Sequence, residues 1–271
     1  KIQEHKRAQL QDLREQTRRH ADLVPHWTAL DAGDLYSVTE AYSQFARSGL
    51  SLVNAAWLNR VLADRGTTVF EGAHGVLLDQ DWGFHPHTTW SRCTFANAEE
   101  LLREAVTHRA PIRLGVIGAY SHRHGPGPFP AEDTKNWFGV SMHDHNNKLS
   151  AWQGPARCGP FDQVLTKYAH RVLGDLDGLV VTQLDRLDRA PRHEMVTGYE
   201  LSDPDPELFS SFGSVVDRIE KAGKVDLDRQ ARLGKALLRG RPVGEAVSGW
   251  RIEFGREIAD YLGVPLAVQS V

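Results

Sequence analysis

This sequence predicts an α/β protein with a mostly parallel sheet flanked by helices, and two patterns carry that prediction. Short apolar strands alternate with helical stretches of ten or more residues, the signature of strand–helix–strand units. Glycine-rich or polar clusters follow several of these strands directly, as ligand loops do at the carboxyl end of a parallel sheet. With 271 residues, 41% of them apolar, the chain can bury the core of one large or two moderate domains. No repeat, low-complexity tract or linker marks an internal boundary, so 1–271 reads without a clear division.

The elements follow in order. Lys1 to Arg19 is highly charged with sparse apolar residues and predicts an exposed helix. Glu40 to Asp64 sets Tyr42, Phe45, Leu50, Val53, Trp57 and Val61 at helical spacing, and Gly66 supplies the stop. Thr67 to Phe70, β-branched and aromatic, predicts a short strand. Asn97 with Glu100 three residues on is a capping signature for a helix to His108. Arg113 to Ala119 predicts a buried strand. Tyr120 to Pro160, dense in Gly, Pro, His and Asn, is the longest irregular stretch, and such loops in compact domains are usually functional or disordered. Phe161 to Leu173 is helical and closes at Gly174, and Gly178 to Thr182 is an apolar strand ending in a polar cluster. Arg192 to Leu201 alternates like a half-exposed strand. Leu227 to Leu238 and Gly249 to Leu262 are helices, the second closing at Gly263 before the strand Val264 to Val268.

Composition excludes several functions. A net charge of -3 gives no electrostatic case for nucleic acid or acidic membranes. No apolar run approaches membrane-spanning length, and the basic, polar start from Lys1 to His20 is no secretory signal. Two cysteines, Cys93 and Cys158, are too few for a disulfide framework, which points to a reducing cytoplasm. Neither sits beside a visible base and orienting group, so small half-buried positions suit them better than a nucleophile's role. Thirteen histidines invite a metal reading, above all His85-Pro86-His87 and His143-Asp144-His145. Neither cluster has the helical spacing of a zinc motif and no Cys pair supports them, so no metal ligand is assigned. Metal-dependent hydrolysis at these clusters stands as a minor alternative.

Four segments carry chemistry. In Val69-Phe70-Glu71-Gly72-Ala73-His74-Gly75-Val76-Leu77-Leu78-Asp79, glycines straight after a strand allow close backbone approach to a ligand. In Gly115 to Glu132 a strand runs into Ala119-Tyr120 and the rigid turn Gly125-Pro126-Gly127-Pro128-Phe129-Pro130, which can hold backbone groups towards a nucleotide sugar. Trp152 to Asp162 is a glycine-flanked loop carrying Arg157, whose guanidinium suits a carboxylate or phosphate. Asp177 to Asp185 ends a strand on a carboxylate able to accept both N1–H and N2–H₂ of guanine, a pairing adenine cannot offer. Each segment alone also fits an ordinary turn, cap or surface residue.

In this order and spacing, from about Glu40 to Val271, the four segments resemble adenylosuccinate synthetase, a family of GTP-dependent ligases of purine synthesis. The resemblance implies the P-loop-NTPase-like synthetase fold in part, GTP (with ATP possible), Mg²⁺, a nucleotide-like acceptor, an amino-acid-like donor, and a cytoplasmic homodimer. It places Thr89, within Pro86-His87-Thr88-Thr89-Trp90-Ser91, on a threonine that binds substrate phosphate where the family runs Pro-x-Val-Thr-Ser-Ser. His74 stands for a glutamine that meets the same phosphate, and His124 for an aliphatic residue at the ribose. Gly154 and Arg157 match the donor loop, while Trp152 and Gln153 replace its threonines. Asp185 matches the guanine aspartate, and Gln183 replaces the lysine whose stem covers the base. The helix from Ala98 to His108 takes the place of a glycine-rich stretch. These departures imply a changed substrate. The family's phosphate loop, Mg²⁺ ligand, catalytic Asp and catalytic His lie upstream of a segment like this. The chain is therefore expected to be the central and C-terminal part of a longer protein, or its only ordered part. A nucleotide-binding protein without catalysis is the alternative.

Overall fold

The computed structural model describes residues 2–16, 18, 35–49, 53–64, 66–105, 110–133, 154–189, 194–247 and 252–270. The chain divides into two compact units, Lys1–Leu58 and Asn59–Val271. The first holds helices α1 (Ile2–Gln16) and α2 (Leu35–Arg47), and α3 (Ala55–Ala63) leads into the second. The expected helix from Glu40 to Asp64 is thus two helices. Gly49, in the left-handed region at φ 86°, ends the first of them. The apolar residues Tyr42, Phe45, Trp57 and Val61 are exposed rather than packed.

In the second unit the expected strand Thr67–Phe70 has no regular structure, and Val69 is 82% exposed. A strand needs a pairing neighbour, and local β propensity does not supply one. A single turn of 3₁₀ helix follows at Val76–Leu78, then helix α4 (Ala96–Glu104). Its N-cap is Phe95, with no side-chain cap bond. Asn97 instead turns its amide back to the Arg92 carbonyl at 3.3 Å, so the expected cap is absent.

Strands β1 (Leu114–Gly118), β5 (Gly178–Thr182) and β10 (Leu266–Gln269) form a parallel sheet in the order β1-β5-β10. Helix α7 (Ile252–Leu262) covers one face, burying Leu179, Val181, Phe254, Ile258 and Val264 together. The outward residues of β1 stay in solvent, with Val116 71% exposed, so the strand is buried on one face only. The antiparallel strands β2 (Ser121–His124) and β3 (Ala156–Gly159) lie inside the stretch Tyr120 to Pro160 expected to be irregular, and they bracket the Gly-Pro turn. Gly159 is required there, because a Cβ would overlap the Ala131 carbonyl.

A second sheet of five strands was not foreseen beyond one member. It contains β4 (Phe161–Asp162), β6 (Glu194–Glu200), β7 (Phe209–Phe212), β8 (Val215–Ile219) and β9 (Arg241–Ala246). Only the β4–β6 pair is parallel. Helices α5 (Gln163–Leu173) and α6 (Leu227–Leu237) share its core with Phe84, Tyr168, Tyr199, Val216 and Leu233. These helices, β5, β6, α7 and β10 lie where the sequence predicts them, within a few residues. Among the described residues no helix is long and apolar enough to cross a membrane.

Candidate functional site

The loop from Glu71 to Cys93 is held by one buried carboxylate. Asp79 accepts the backbone N–H groups of Asp81 at 2.8 Å and Trp82 at 3.0 Å, and also that of Cys93 fourteen residues on. From outside the loop, the Tyr168 hydroxyl of α5 donates to the Trp82 carbonyl at 2.8 Å. The buried Gln230 amide of α6 donates to the carbonyls of Trp82 and Gly83. From Asp79 to Cys93 the loop is thus tied down, which lowers the entropy cost of presenting its outer residues. Those residues line a cleft of about 560 Å³, formed by Gln80, Asp81, His85, Pro86, Thr88, Thr89, Trp90 and Leu227. That volume lies within the usual range for small-molecule sites. Thr89 is therefore in a cleft. His74, exposed and in the left-handed region at φ 65°, belongs to the same loop but not to the cleft wall.

The Gly-Pro turn is built differently. Arg123, almost fully buried, donates to the Pro126 carbonyl from Nε at 3.1 Å and Nη2 at 2.8 Å, and to the His87 carbonyl at 3.1 Å. Arg157, across the β2–β3 ladder, donates from Nη2 to the carbonyls of Gly125 at 2.7 Å and Gly127 at 3.0 Å. Its Nη1 pairs with Glu132 at 2.9 Å, and the guanidinium lies 5.6 Å from the Phe129 ring centre. The carbonyls of Gly125, Pro126 and Gly127 thus all turn inward onto the two arginines. Gly127 must be glycine, since at φ 119° a Cβ would overlap the Arg123 guanidinium. Burial, with the charge of Arg157 adding, lowers the Arg123 pKa to about 10, still protonated at neutral pH. Burial and then the charges of Arg123 and Arg157 also hold His87 below the usual histidine value, which favours its neutral form. A cavity of about 200 Å³ lies beside the Arg157–Glu132 pair, walled by Leu237 and Leu238. His124 and Gly154 are brought together, with His124 Nε2 3.3 Å from the Gly154 carbonyl.

Asp162 anchors this hairpin to the helices and carries no flag in the sequence reading. Fully buried, it caps α5 by accepting the Leu165 N–H at 2.9 Å, and it takes the Tyr199 hydroxyl at 2.6 to 2.7 Å. Its own N–H donates to the Ser121 hydroxyl of β2 at 3.1 Å. Desolvation raises its pKa to about 6, against the lowering effect of the Leu165 and Tyr199 bonds. An Asp just before the helical pattern Val164, Leu165, Tyr168, Val172 is a capping signal that the sequence does contain.

The carboxyl edge of the parallel sheet gathers the remaining pair. Gln183 follows β5 with its backbone in the left-handed region at φ 64°, and its amide Oε1 is buried with no hydrogen-bond partner. That oxygen sits against Gly118 at the end of β1, where a Cβ would come within 2.9 Å of it. Asp185, in the 3₁₀ turn Leu184–Arg189, is 56% exposed and only 3.7 Å from the Arg186 guanidinium. Neither residue lines the two clefts described above.

Cys93 and Cys158 are half-buried, and burial raises both thiols above their usual pKa, so neither is primed as a nucleophile. Among the described residues no three His, Cys, Asp or Glu side chains gather to hold a metal, and His85 Nε2 is 2.7 Å from the Gln80 carbonyl. His143, Asp144, His145, Trp152 and Gln153 lie outside the described residues.

Comparison with known proteins follows the same segments. A family model described as "Adenylosuccinate synthetase" matches residues 2–226. The adenylosuccinate synthetase of Aquifex aeolicus is 31% identical over 229 residues, which span 76% of this chain and 46% of that protein. The protein of the same name from Polaromonas sp. is 30% identical over 251 residues, covering 90% and 50%. That of Desulforamulus reducens is 38% identical over 170 residues, covering 62% and 38%. The chain spans about half the length, or less, of these curated relatives. Among solved structures, fully ligated adenylosuccinate synthetase from Plasmodium falciparum superposes with a TM-score of 0.64 at 18% identity, over 96% of this chain and 62% of that one. That likeness establishes a shared fold.

Proposed function

This chain belongs to the adenylosuccinate synthetase family, and we propose that it supplies the central and C-terminal part of a GTP-dependent C–N ligase. The proposed reaction joins an amino-acid-like donor, aspartate or a relative, to a carbonyl carbon of a purine nucleotide or related acceptor. The γ-phosphoryl group of GTP is transferred to the carbonyl oxygen. The donor amine then attacks the carbon, loses a proton, and the oxygen departs with phosphate. Such chemistry rests on positioning and charge stabilisation, and loops at several strand ends suit it.

In this reading Asp185 accepts two N–H groups of the guanine base and Gln183 borders it. Thr89 and His74 serve the acceptor's anionic group, the backbone near His124 and Gly154 faces the sugar and donor, and Arg157 faces the donor carboxylate. The observation that supports nucleotide binding best is Gln183. An unpartnered buried amide oxygen on a left-handed backbone, at the carboxyl edge of a parallel sheet, is where ligand recognition concentrates strain. The Asp185 carboxylate two residues on is exposed and paired only loosely, at 3.7 Å, with the Arg186 guanidinium, which leaves it able to accept N–H donors. Mg²⁺ enters this proposal through the family alone, since the described residues form no such site. A cytoplasmic homodimer is part of the same proposal.

A non-catalytic nucleotide-binding role is the second reading, and Arg157 favours it: its guanidinium is already committed to Glu132 and two turn carbonyls. Phosphate release from GTP, measured with inosine monophosphate and aspartate and with alternative acceptors and donors, separates the two. The ligase reading predicts GTP-dependent release matched one for one by product. Saturable GTP binding with no release under any pairing would replace it with the second reading. Ordinary synthetase turnover on inosine monophosphate and aspartate would sink the changed substrate.

A further inference from the structure

The cavity of about 200 Å³ at the Gly-Pro turn is walled by one cation, one anion and little else that is polar. The two charges are Arg157 and Glu132, held 2.9 Å apart as an ion pair. Phe129, Pro130, Leu237 and Leu238 supply apolar wall, and Gly127 and Gly240 put no side chain into the space. The volume is below the roughly 300–1,000 Å³ of drug-sized sites, so the cavity suits a compact metabolite rather than a nucleotide.

Both charges are fixed before any ligand arrives. Arg157 Nη2 is tied to the carbonyls of Gly125 and Gly127, and the guanidinium lies 5.6 Å from the Phe129 ring centre. Those carbonyls set the plane of the guanidinium and leave its positive charge in place. Glu132 meets Arg157 Nη1 through Oε2, so neither Glu132 Oε1 nor Arg157 Nε takes part in these bonds. Both side chains are partly exposed, which keeps the pair within reach of a ligand.

An α-amino acid carries the complementary pair of charges. Its carboxylate can lie against the guanidinium while its ammonium donates to the Glu132 carboxylate. Its side chain then falls on Phe129 and the two leucines, where an apolar group gains by leaving water. Aspartate fits this wall poorly. Its second carboxylate finds no second Lys or Arg among the lining residues and stands uncompensated beside Glu132 and the leucines.

We propose that this cavity is the donor pocket and that it takes a small α-amino acid with an apolar side chain in preference to aspartate. Leu238, the C-cap of α6, is a specificity-determining residue of that pocket. The proposal rests on the reading of Arg157 as the group that faces the donor carboxylate.

The test is titration calorimetry of the protein with L-valine, L-leucine and L-aspartate, alone and with GTP and inosine monophosphate present. Valine or leucine is expected to bind about tenfold more tightly than aspartate, the usual cost of one charged group left unpaired. Isobutylamine and isovalerate, which are valine without its carboxylate and without its amine, should each bind about tenfold more weakly than valine. Leu238→Arg, at a position 58% exposed, should turn the preference towards aspartate. Glu132→Gln, which keeps an acceptor for Arg157, should weaken valine about tenfold. Aspartate bound as tightly as valine and leucine, no amino acid bound under either condition, or an unchanged valine affinity in Glu132→Gln would each overturn the proposal. Phosphate release from GTP is read separately. Valine or leucine binding without release under any pairing sinks the ligase and leaves this pocket standing, and release driven by aspartate alone does the reverse.

Discussion

The Gly-Pro turn and the carboxyl edge of the parallel sheet both gather polar residues at strand ends, and they dispose of their hydrogen bonds in opposite ways. At the turn, Arg123 and Arg157 spend their donors on the carbonyls of His87, Gly125, Pro126 and Gly127 and on Glu132. At the sheet edge, Gln183 keeps a buried oxygen without a partner and Asp185 keeps an exposed carboxylate. Residue type alone does not distinguish these regions, because an arginine in a glycine-flanked loop looks as functional as an aspartate after a strand. Where the hydrogen bonds go does distinguish them. The first region turns its donors onto the fold itself, and on the proposed reading the second keeps hydrogen-bonding capacity for a ligand.

Substitutions should separate the two by their effect on stability. The largest loss is expected at Asp162→Ala, which removes the α5 cap and leaves the buried Tyr199 hydroxyl without its acceptor. About 3–5 kcal/mol should be lost, read as a shifted urea midpoint. The same residue has a pH signature. Its folded pKa of about 6 lies above the ordinary 3.8, so the folded state takes up a proton between those values. This contribution to stability is fully present below pH ~4 and falls by on the order of 3 kcal/mol as pH rises through ~6. Asp162→Asn should remove that slope from the stability–pH curve. Arg123→Met should cost about 2–4 kcal/mol, since it strands the Pro126 and His87 carbonyls against a buried apolar stem. The sheet edge should respond weakly or in reverse. Gln183→Gly relieves the left-handed backbone and the unpartnered amide, and should raise stability by about 0.5–1 kcal/mol while weakening nucleotide binding. Asp185→Asn, at an exposed position, should leave the urea midpoint within about 0.5 kcal/mol of the parent.

Much of the second region is legible in the sequence. The apolar run Gly178 to Thr182 and the helical spacing in α5, α6 and α7 locate β5, β10 and the covering helices. They are long or strongly periodic, so local pattern and final packing agree. The losses have particular causes. Thr67 to Phe70 has strand composition but no strand, because propensity cannot provide a partner. The hairpin of β7 and β8 is short, with Ser210 and Ser211 diluting its alternation, and β9 carries Pro242 near its start, so none announces itself. Asn97 has the spacing of a cap, yet the helix begins beside it and its amide turns to Arg92. The clamp of Arg123 and Arg157 is invisible in one dimension, because its acceptors are backbone carbonyls that carry no residue identity.

Calorimetric titration of GTP into the parent protein and Asp185→Asn, with urea unfolding of each alongside, tests most directly that the sheet edge is reserved for a nucleotide. Micromolar or tighter GTP binding, weakened at least tenfold in Asp185→Asn with an unchanged unfolding midpoint, is the predicted result. Equal GTP affinity in both proteins, or no GTP binding by the parent, would contradict it.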